Sequence, residues 1–577
     1  GARPVTVVAA VLLAVARLAL TATPGGRTQL WLATAGLLAG LVWLVGVAAD
    51  TDRPVPGLVL GFAVNAALHA VLDTVDLVWR GGWLAWLLSS VAVVLFVLGT
   101  AQPGTRADGV TGTGGVRAWL LAGPALLLAA MVALSPALAR TGMSFLVAGD
   151  GVARSPLFGL APVPVAVAAF LCTASTRPPR GWSRAYGPVA LLAGAVLFAL
   201  DRGDLLLPAI LLAAVGLGAC LALTDDASGP DSDASDTANA SHTSNASARA
   251  ARRGYAVAAG MLVFALGAVG YYSAYDLGYP NAAVPVLVAG LVAVVAFAAR
   301  PVVHRLPGPF PPLRAAAAVT ALALLAPVLA DDIPVASNRD GPPERLTVVA
   351  YNIRMGFGLD GRFDLPGLTE VVERQRPDVV LLSEVDRAWL LNGGHDTLGL
   401  LAGRLGMPYV FGPAADPVWG DAVLSRWPMR DPRSRPLPAV GAPTGAQALA
   451  VTLDLGDGVR TAVVSTHLQP PPGRGPVVQA RAVADFATRY AAGRPLVVAG
   501  DLNTEPGDEA YAEFTDAGLT DAFATARPLA TSPADDPRQQ IDHIFVSPGL
   551  TPGDPVAPRS TASDHLPVAV TLTLPPR

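Results

Sequence analysis

Eleven apolar stretches fill the first 330 residues of the chain, at about 4–22, 29–49, 57–79, 82–102, 117–138, 157–175, 186–200, 204–223, 254–275, 281–299 and 312–330. Stretches of roughly 17–25 apolar residues are long enough to cross the hydrocarbon core of a bilayer as helices. The first 330 residues therefore read as a polytopic, α-helical membrane domain. Composition agrees: 52% of residues are hydrophobic, 15% are charged and the mean hydropathy is +0.47. That is too apolar for an ordinary cytosolic enzyme of this length. A formal charge of −4, from 40 basic and 44 acidic residues, also argues against a basic nucleic-acid-binding surface as the main business of the chain.

The two ends of the chain differ in kind. All seven Glu lie at or after Glu344, so the front is lipid-like and the back water-like. Both cysteines, Cys172 and Cys220, sit inside apolar runs, which leaves no disulfide framework and no cysteine zinc site. Between the eighth and ninth stretches lies TDDASGPDSDASDTANASHTSNASARAARR, about 224–253. Its Ser, Asp, Asn and Ala cannot bury enough apolar surface to fold, so a disordered loop is expected there.

Arginines in the connections set the expected orientation. The connections on the side of the N-terminus hold thirteen, and those on the opposite side hold five: Arg27, Arg80, Arg140, Arg154 and Arg202. The positive-inside rule then places the N-terminus in the cytoplasm and, with an odd number of spans, everything after residue 331 outside it. The expected localisation is the cell membrane, as a multi-pass protein with an extracytoplasmic C-terminal domain.

After a linker at 331–343 the pattern changes. Short β-branched runs alternate with helical stretches from 344 to 577: LTVVAYNI, DVVLLSE, DAVLSRWP, ALAVTLDL, RTAVVSTHL, PLVVAGDLN, IDHIFVS and LPVAVTLTL. This reads as an α/β domain with helix-covered sheets. Polar groups gather where strands end: Asn352, Glu384, His467, Asp501 with Asn503, and Asp542, while Asp564 and His565 precede the last strand. Oxygen ligands spread over several strand ends suit a hard cation such as Mg²⁺ or Mn²⁺, leaving the histidines for proton transfer.

The ordered set N-I-R, S-E-V-D, LSRWP, S-T-H-L, G-D-L-N, I-D-H-I and S-D-H-L-P resembles the endonuclease/exonuclease/phosphatase superfamily, metal-dependent phosphoesterases with a DNase I-like, four-layer α/β sandwich. The resemblance implies that Asn352 and Glu384 hold the divalent metal, with Asp564 completing or approaching the site. It implies that Asp501 and Asn503 face the phosphoryl group, that His565, oriented by Asp542, is base or charge partner for the attacking water, and that His467 contacts the phosphate or assists the leaving group. One position departs from the pattern: Asp421 stands in WGDAVLSRWP where many relatives carry Asn or another small polar residue, which bears on substrate class more than on catalysis. His543 is expected on the opposite strand face from Asp542, and His395, in NGGHD, is expected to be solvated. The architecture, many spans followed by such a domain, also resembles the membrane proteins of GPI-anchor lipid remodelling.

A polar stripe marks the third apolar stretch: Asn65, His69, Asp73 and Asp76 share one helix face by their spacing, with Arg17 as a possible charge partner. Ionisable groups at membrane depth are candidates for function. The sequence thus points to a membrane-anchored, divalent-metal-dependent phosphodiesterase or phosphatase. Membrane lipids and a lipid-linked phosphoester are the expected partners, with nucleic acid disfavoured. The alternatives are a surface-tethered nuclease and a non-catalytic protein of lipid binding or transport with a head-group-binding domain.

Overall fold

The computed structural model describes residues 2–23, 25–102, 115–148, 151–176, 179, 181–225, 239–299, 313–330, 333, 336, 341–440 and 445–576. The membrane half consists of α1 (Ala2–Ala22), α2 (Gly26–Asp50), α3 (Val55–Val71), α4 (Trp83–Ala101), α5 (Val116–Leu128), α6 (Pro136–Ala148), α7 (Pro162–Ser175), α8 (Tyr186–Ala199), α9 (Leu206–Leu223), α10 (Asn239–Tyr272), the short α11 (Ala274–Leu277), α12 (Ala283–Ala298) and α13 (Leu313–Leu329). Among the described residues, seven helical segments are long and apolar enough to cross a membrane, and four shorter apolar helices stand beside them. Small residues let the helices approach closely. A Cβ built on Gly123 would lie 1.9 Å from the Gly260 carbonyl oxygen, so α5 and α10 meet backbone to backbone.

Three expectations change here. The fifth apolar stretch does not stop at 138: after a π-turn over Ala129–Ala133, α6 runs on to Ala148. Pro136 begins α6 because a ring without an N–H is tolerated in a first turn. Helix α3 ends at Val71, and Asp73 and Thr74 adopt left-handed backbone (φ 48 and 62), so Asp73 and Asp76 lie in the connection and not on the face that holds Asn65 and His69. Helix α10 begins at Asn239, so the 239–253 part of the expected disordered loop is helical. The 226–238 part of that loop, and most of the 331–343 linker, lie outside the described residues.

The C-terminal domain holds two sheets. The strands are β1 (Ala153–Arg154), β2 (Arg345–Asn352), β3 (Val379–Asp386), β4 (Tyr409–Asp416), β5 (Trp419–Ser425), β6 (Met429–Pro436), β7 (Gln447–Asp454), β8 (Arg460–Thr466), β9 (Leu496–Asp501), β10 (Thr520–Asp521), β11 (Asp542–Val546), β12 (Thr551–Val556) and β13 (Val568–Thr573). One sheet runs β1-β4-β5-β3-β2-β13-β12 and the other β10-β11-β9-β8-β7-β6. Alternation along each strand builds the layers. Leu346, Val348 and Ala350 of β2 face Val463, Val497 and Ile544 of the other sheet, forming a core between the sheets. Helices α16 (Gly475–Ala491) and α17 (Glu509–Asp516) cover the outer face of the second sheet through Val483, Ala487 and Phe514. Helices α14 (Leu365–Glu373) and α15 (Thr397–Leu405) cover the first, through Leu368 and Leu401 against Val349, Tyr351 and Leu382. The result is the DNase I-like sandwich with a helical region in front of it.

The hydrophobic core under the first sheet continues without a break into the membrane half, where Ala137, Leu138, Phe145 and Leu160 belong to the same cluster. The edge of that sheet is β1, a piece of the α6–α7 connection that pairs antiparallel with β4, Ala153 opposite Phe411 and Arg154 opposite Val410. An unpaired edge strand is an aggregation liability, and this one is covered by the chain's own membrane half.

Alternate connections of the bundle meet the domain. The α1–α2 connection bonds it through Gly26 N to Asp360 O at 2.6 Å, the α3–α4 connection packs Trp79 on Phe357 with ring centroids 6.1 Å apart, the α6–α7 connection supplies β1, and Tyr272 at the end of α10 accepts from Leu390 N at 2.8 Å. The other connections pair among themselves, as in Arg53 with Asp225 at 2.6 Å, Trp119 Nε1 donating to Thr51 O at 2.9 Å and Arg253 Nε donating to Ala48 O at 2.9 Å. The arginine-poor connections are therefore the ones on the side of the C-terminal domain.

Candidate active site

The two sheets bring their strand ends together at one point. Asn352 and Glu384 arrive from β2 and β3 of the first sheet, while His467, Asp501 and Asp542 arrive at the ends of β8, β9 and β11 of the second. Asp542 lies directly opposite Asp501 in the β11–β9 register. Close approach of β8 and β9 requires a glycine beside this point, since Gly500 has φ 146 and a Cβ there would lie 1.9 Å from Thr466 O. Glu384 sits at a register shift between β3 and β5 with φ 55, a conformation unusual for any residue but glycine.

Asp501 is the hub. Its Oδ2 accepts from Asn352 Nδ2 at 2.9 Å and lies 3.5 Å from His467 Nε2 and 3.7 Å from His565 Nε2. Asn352 Nδ2 also reaches Glu384 Oε1 at 3.1 Å. His565 Nδ1 stands 2.9 Å from Asp542 Oδ2, the pairing expected from sequence. Asn503 Nδ2 is 3.2 Å from His467 Nε2 and donates to Leu468 O at 2.8 Å. The segment before β13 is tied down by Ser563 Oγ donating to Asn352 O at 2.8 Å. Asp564 is half-exposed at the rim, 3.5 Å from Arg354 Nε. All eight residues singled out in the sequence, Asn352, Glu384, His467, Asp501, Asn503, Asp542, Asp564 and His565, thus belong to one cluster.

Its electrostatics are unbalanced toward negative charge. Burial pushes the Glu384 carboxyl up, against the pull of His467 and the Asn352 amide. Burial alone would lower His467, but the carboxylates of Asp501, Glu384 and Asp421 outweigh it and hold the imidazole above its usual range. His565 is likewise driven up, to about 11, because Asp542 and Asp501 more than offset its burial. A divalent cation fits this donor set. Asp501, Asp542 and His565 offer ligand atoms within 4.8 Å of one another, and the buried Oδ1 of Asp542 has no hydrogen-bond partner among the described residues. The Asn352 amide joins the Glu384 carboxylate to Asp501, and Asp564 stands at the rim of the cluster. Carboxylate oxygens of this kind suit a hard divalent cation.

This geometry agrees with the family to which the sequence is similar: residues 349–565 match the Endonuclease/Exonuclease/phosphatase family. Residues 349–565 form an endonuclease/exonuclease/phosphatase domain. Members of that family are hydrolases acting on phosphoesters, generally with a divalent metal. Solved structures with similarity include an endonuclease/exonuclease/phosphatase from Beutenbergia cavernae, 25% identical over 40% of this chain and 72% of that one, with a TM-score of 0.34. A mannosyl-6-phosphatase from Bacteroides thetaiotaomicron is 21% identical over 39% of this chain and 99% of that one (TM-score 0.33). The catalytic domain of human Nocturnin is 24% identical over 40% and 96% (TM-score 0.34). No curated protein is similar enough to match the chain.

Around the endonuclease/exonuclease/phosphatase domain one residue differs from expectation. His395 is buried, not solvated: its Nδ1 lies 2.7 Å from Thr74 O of the α3–α4 connection and its ring packs on Phe363 at 4.4 Å. His543 faces away from the cluster as expected, with Nε2 2.9 Å from Thr504 O. Asp421 is buried, pushed up to about 7 by that burial, and accepts from Gln447 Nε2 at 2.7 Å. The polar stripe is engaged: Arg17 pairs with Asp76 at 2.6 Å, and Asp73 pairs with Arg140. Sequence reasoning missed Trp419, whose ring lies 6.4 Å from that of His467, and Trp389 and Tyr275, which pack on Trp419. Aromatic residues at such spacing carry no motif, and Tyr275 comes from the membrane half.

Proposed function

We propose that this protein is a membrane-anchored phosphodiesterase or phosphatase that uses Mg²⁺ or Mn²⁺ and acts outside the cytoplasm on a lipid or glycolipid head group. The observation that carries this reading is the position of the carboxylate and imidazole cluster, on a domain whose first sheet is cored and edged by the membrane half. A site held there suits a substrate that stays at the membrane surface.

Asn352, Glu384 and Asp564 would hold the cation, which when bound supplies electrostatic stabilisation of the charge that builds on the phosphoryl oxygens. Asp542 fixes the His565 ring through Nδ1 and, with Asp501, keeps the imidazole protonated, so that Nε2 is the charge partner of the attacking water. His467, held beside Asn503, faces the phosphoryl group and assists the departing oxygen. A positioned general acid or base of this type contributes about 10²–10⁴-fold. Asp501 orients both rings and the Asn352 amide. A tethered nuclease is disfavoured by the low density of basic residues, since binding to a phosphate backbone relies on such charge. A head-group-binding protein without activity has no need of the Asp542–His565 pair.

The full-length protein in lipid nanodiscs, assayed with Mg²⁺ against phospholipid, inositol-phosphate and DNA substrates, should turn over the lipid-linked ester and lose that activity in excess EDTA. DNA as the preferred substrate, or activity indifferent to EDTA, would reject the proposal. For sidedness, a reporter fused after Arg577 should be active only outside the cytoplasm, as the thirteen-to-five arginine imbalance requires. A cysteine placed at 228–247 should resist membrane-impermeant labelling in intact cells, and labelling there would invert the topology.

A further inference from the structure

A cavity of about 390 Å³ lies at the join of the two halves, and none of the eight residues of the catalytic cluster lines it. Its volume is in the range of ordinary ligand pockets. One wall is the α3–α4 connection and the first turns of α4, through Leu84 and Leu88, which stand four apart on one helix face. The facing wall belongs to the C-terminal domain, through Leu365 of α14 and Leu400 of α15, and Leu329, the last residue of α13, also lines the cavity. Helix α4 is long and apolar enough to cross a membrane. Leu84, Leu88 and Leu329 are 53, 41 and 58% exposed, so the apolar end of the cavity runs out onto the outer surface of the bundle. Leu88 lies five residues past Trp83, about 7.5 Å down the axis of α4.

The polar end is cationic. Arg80 turns back on its own connection and donates to the carbonyls of Val75, at 3.2 Å, and Leu72, which holds it in the lining. Arg404 is exposed in the last turn of α15 and has no ion-pair or hydrogen-bond partner among the described residues. Asp73, the one carboxylate among the lining residues, is already paired with Arg140. Trp79 also lines the cavity, and indole rings favour the level of the lipid head groups. Two guanidinium groups and a set of leucines thus share one cavity at the start of a helix of spanning length. A guanidinium fork matches a phosphodiester in geometry and charge, and the leucines match acyl methylenes. A zwitterionic head group brings a cation of its own toward the same arginines. A small soluble anion leaves the leucines uncovered.

We infer that this cavity is a lipid site separate from the catalytic cluster: it takes the phosphate of an anionic phospholipid on Arg80 and Arg404 and the upper part of the acyl chains along Leu84, Leu88 and Leu329, and so seats the C-terminal domain on the bilayer. Binding there requires the helices to span a membrane and requires no phosphoesterase activity. The full-length protein in dodecyl maltoside with EDTA is titrated with dioctanoyl phosphatidylglycerol, with dioctanoyl phosphatidylcholine and with glycerol 3-phosphate, and the rise in Tm gives each apparent affinity. Phosphatidylglycerol should bind at least about tenfold tighter than phosphatidylcholine, the scale of one hydrogen bond between charged groups, and glycerol 3-phosphate should not bind in the same range. Arg404→Gln should abolish most of that preference and leave the Tm without lipid unchanged, since Arg404 has no partner to lose. Arg489→Gln, an exposed position on α16 outside the lining, should change neither. Equal binding of the two lipids, a preference that survives Arg404→Gln, or one lost equally in Arg489→Gln overturns the inference. Glycerol 3-phosphate binding as tightly as phosphatidylglycerol reveals a free-anion site and overturns it as well.

Discussion

Glu384→Gln should lower metal-dependent phosphoester turnover at least ~10²-fold, about 2.7 kcal/mol of transition-state stabilisation, and leave the protein folded. The replacement keeps the shape of the side chain, including an oxygen able to accept from Asn352 Nδ2, now at 3.1 Å. What it removes is the negative charge that would hold the cation. The backbone at φ 55 is fixed by the strand irregularity between Leu382 and Val385, not by the carboxylate, so the local structure has no reason to change. Stability should move the opposite way from activity. Burial of the Glu384 carboxylate is costly and outweighs the pull of His467 and the Asn352 amide, so in EDTA the mutant should melt no lower than wild type. Steady-state rates across a Mg²⁺ series, with thermal melts in EDTA, check both halves of the claim. Near-wild-type turnover at every Mg²⁺ concentration would end the assignment of Glu384 to the metal.

The sequence revealed the parts of this protein whose signal is local. Apolar runs mark the helices because lipid leaves no other solution for a long hydrophobic segment, and the strand-end motifs mark the cluster because each functional group sits within two or three residues of its own strand. What stayed hidden depends on partners far away in the chain. Strand β1 is two residues long and exists only because β4 offers it an edge. Asp73 and Asp76 keep helical spacing, but α3 stops at Val71, and the pairing of Asp73 with Arg140 shows that the stripe belongs to the seam between the halves. His395 looks like a loop residue because nothing near it in sequence announces Thr74 or Phe363. Asn239–Arg253 looks disordered by composition, yet its backbone continues the helix that the apolar segment after it begins.

That seam carries the second large expectation. Arg387 is fully buried, with Nε 3.1 Å from Asp396 Oδ1, one terminal nitrogen donating to Tyr409 Oη and the other to Ser144 Oγ of α6, both at 2.8 Å. Arg140, also of α6, pairs with Asp73 and lies 3.8 Å from Asp396. Two guanidinium groups and two carboxylates thus alternate across the join of membrane half and catalytic domain, and Asp396 belongs to both pairs. Removing one member of a buried ion pair leaves the other charged and unpaired, which costs on the order of 3–5 kcal/mol. Asp396→Ala should therefore destabilise the protein on that scale, more than Ser144→Ala, which deletes only one hydrogen bond to a charged group and should cost about 1.5–3 kcal/mol. Because both changes act on Arg387, their effects should not add, and a double-mutant cycle in denaturant should show coupling of about 0.5 kcal/mol or more. If Asp396→Ala unfolds at the wild-type midpoint, or the two costs add fully, the halves are not joined through Arg387, and the position of the carboxylate and imidazole cluster against the helical half must be set by β1 and the aromatic contacts alone.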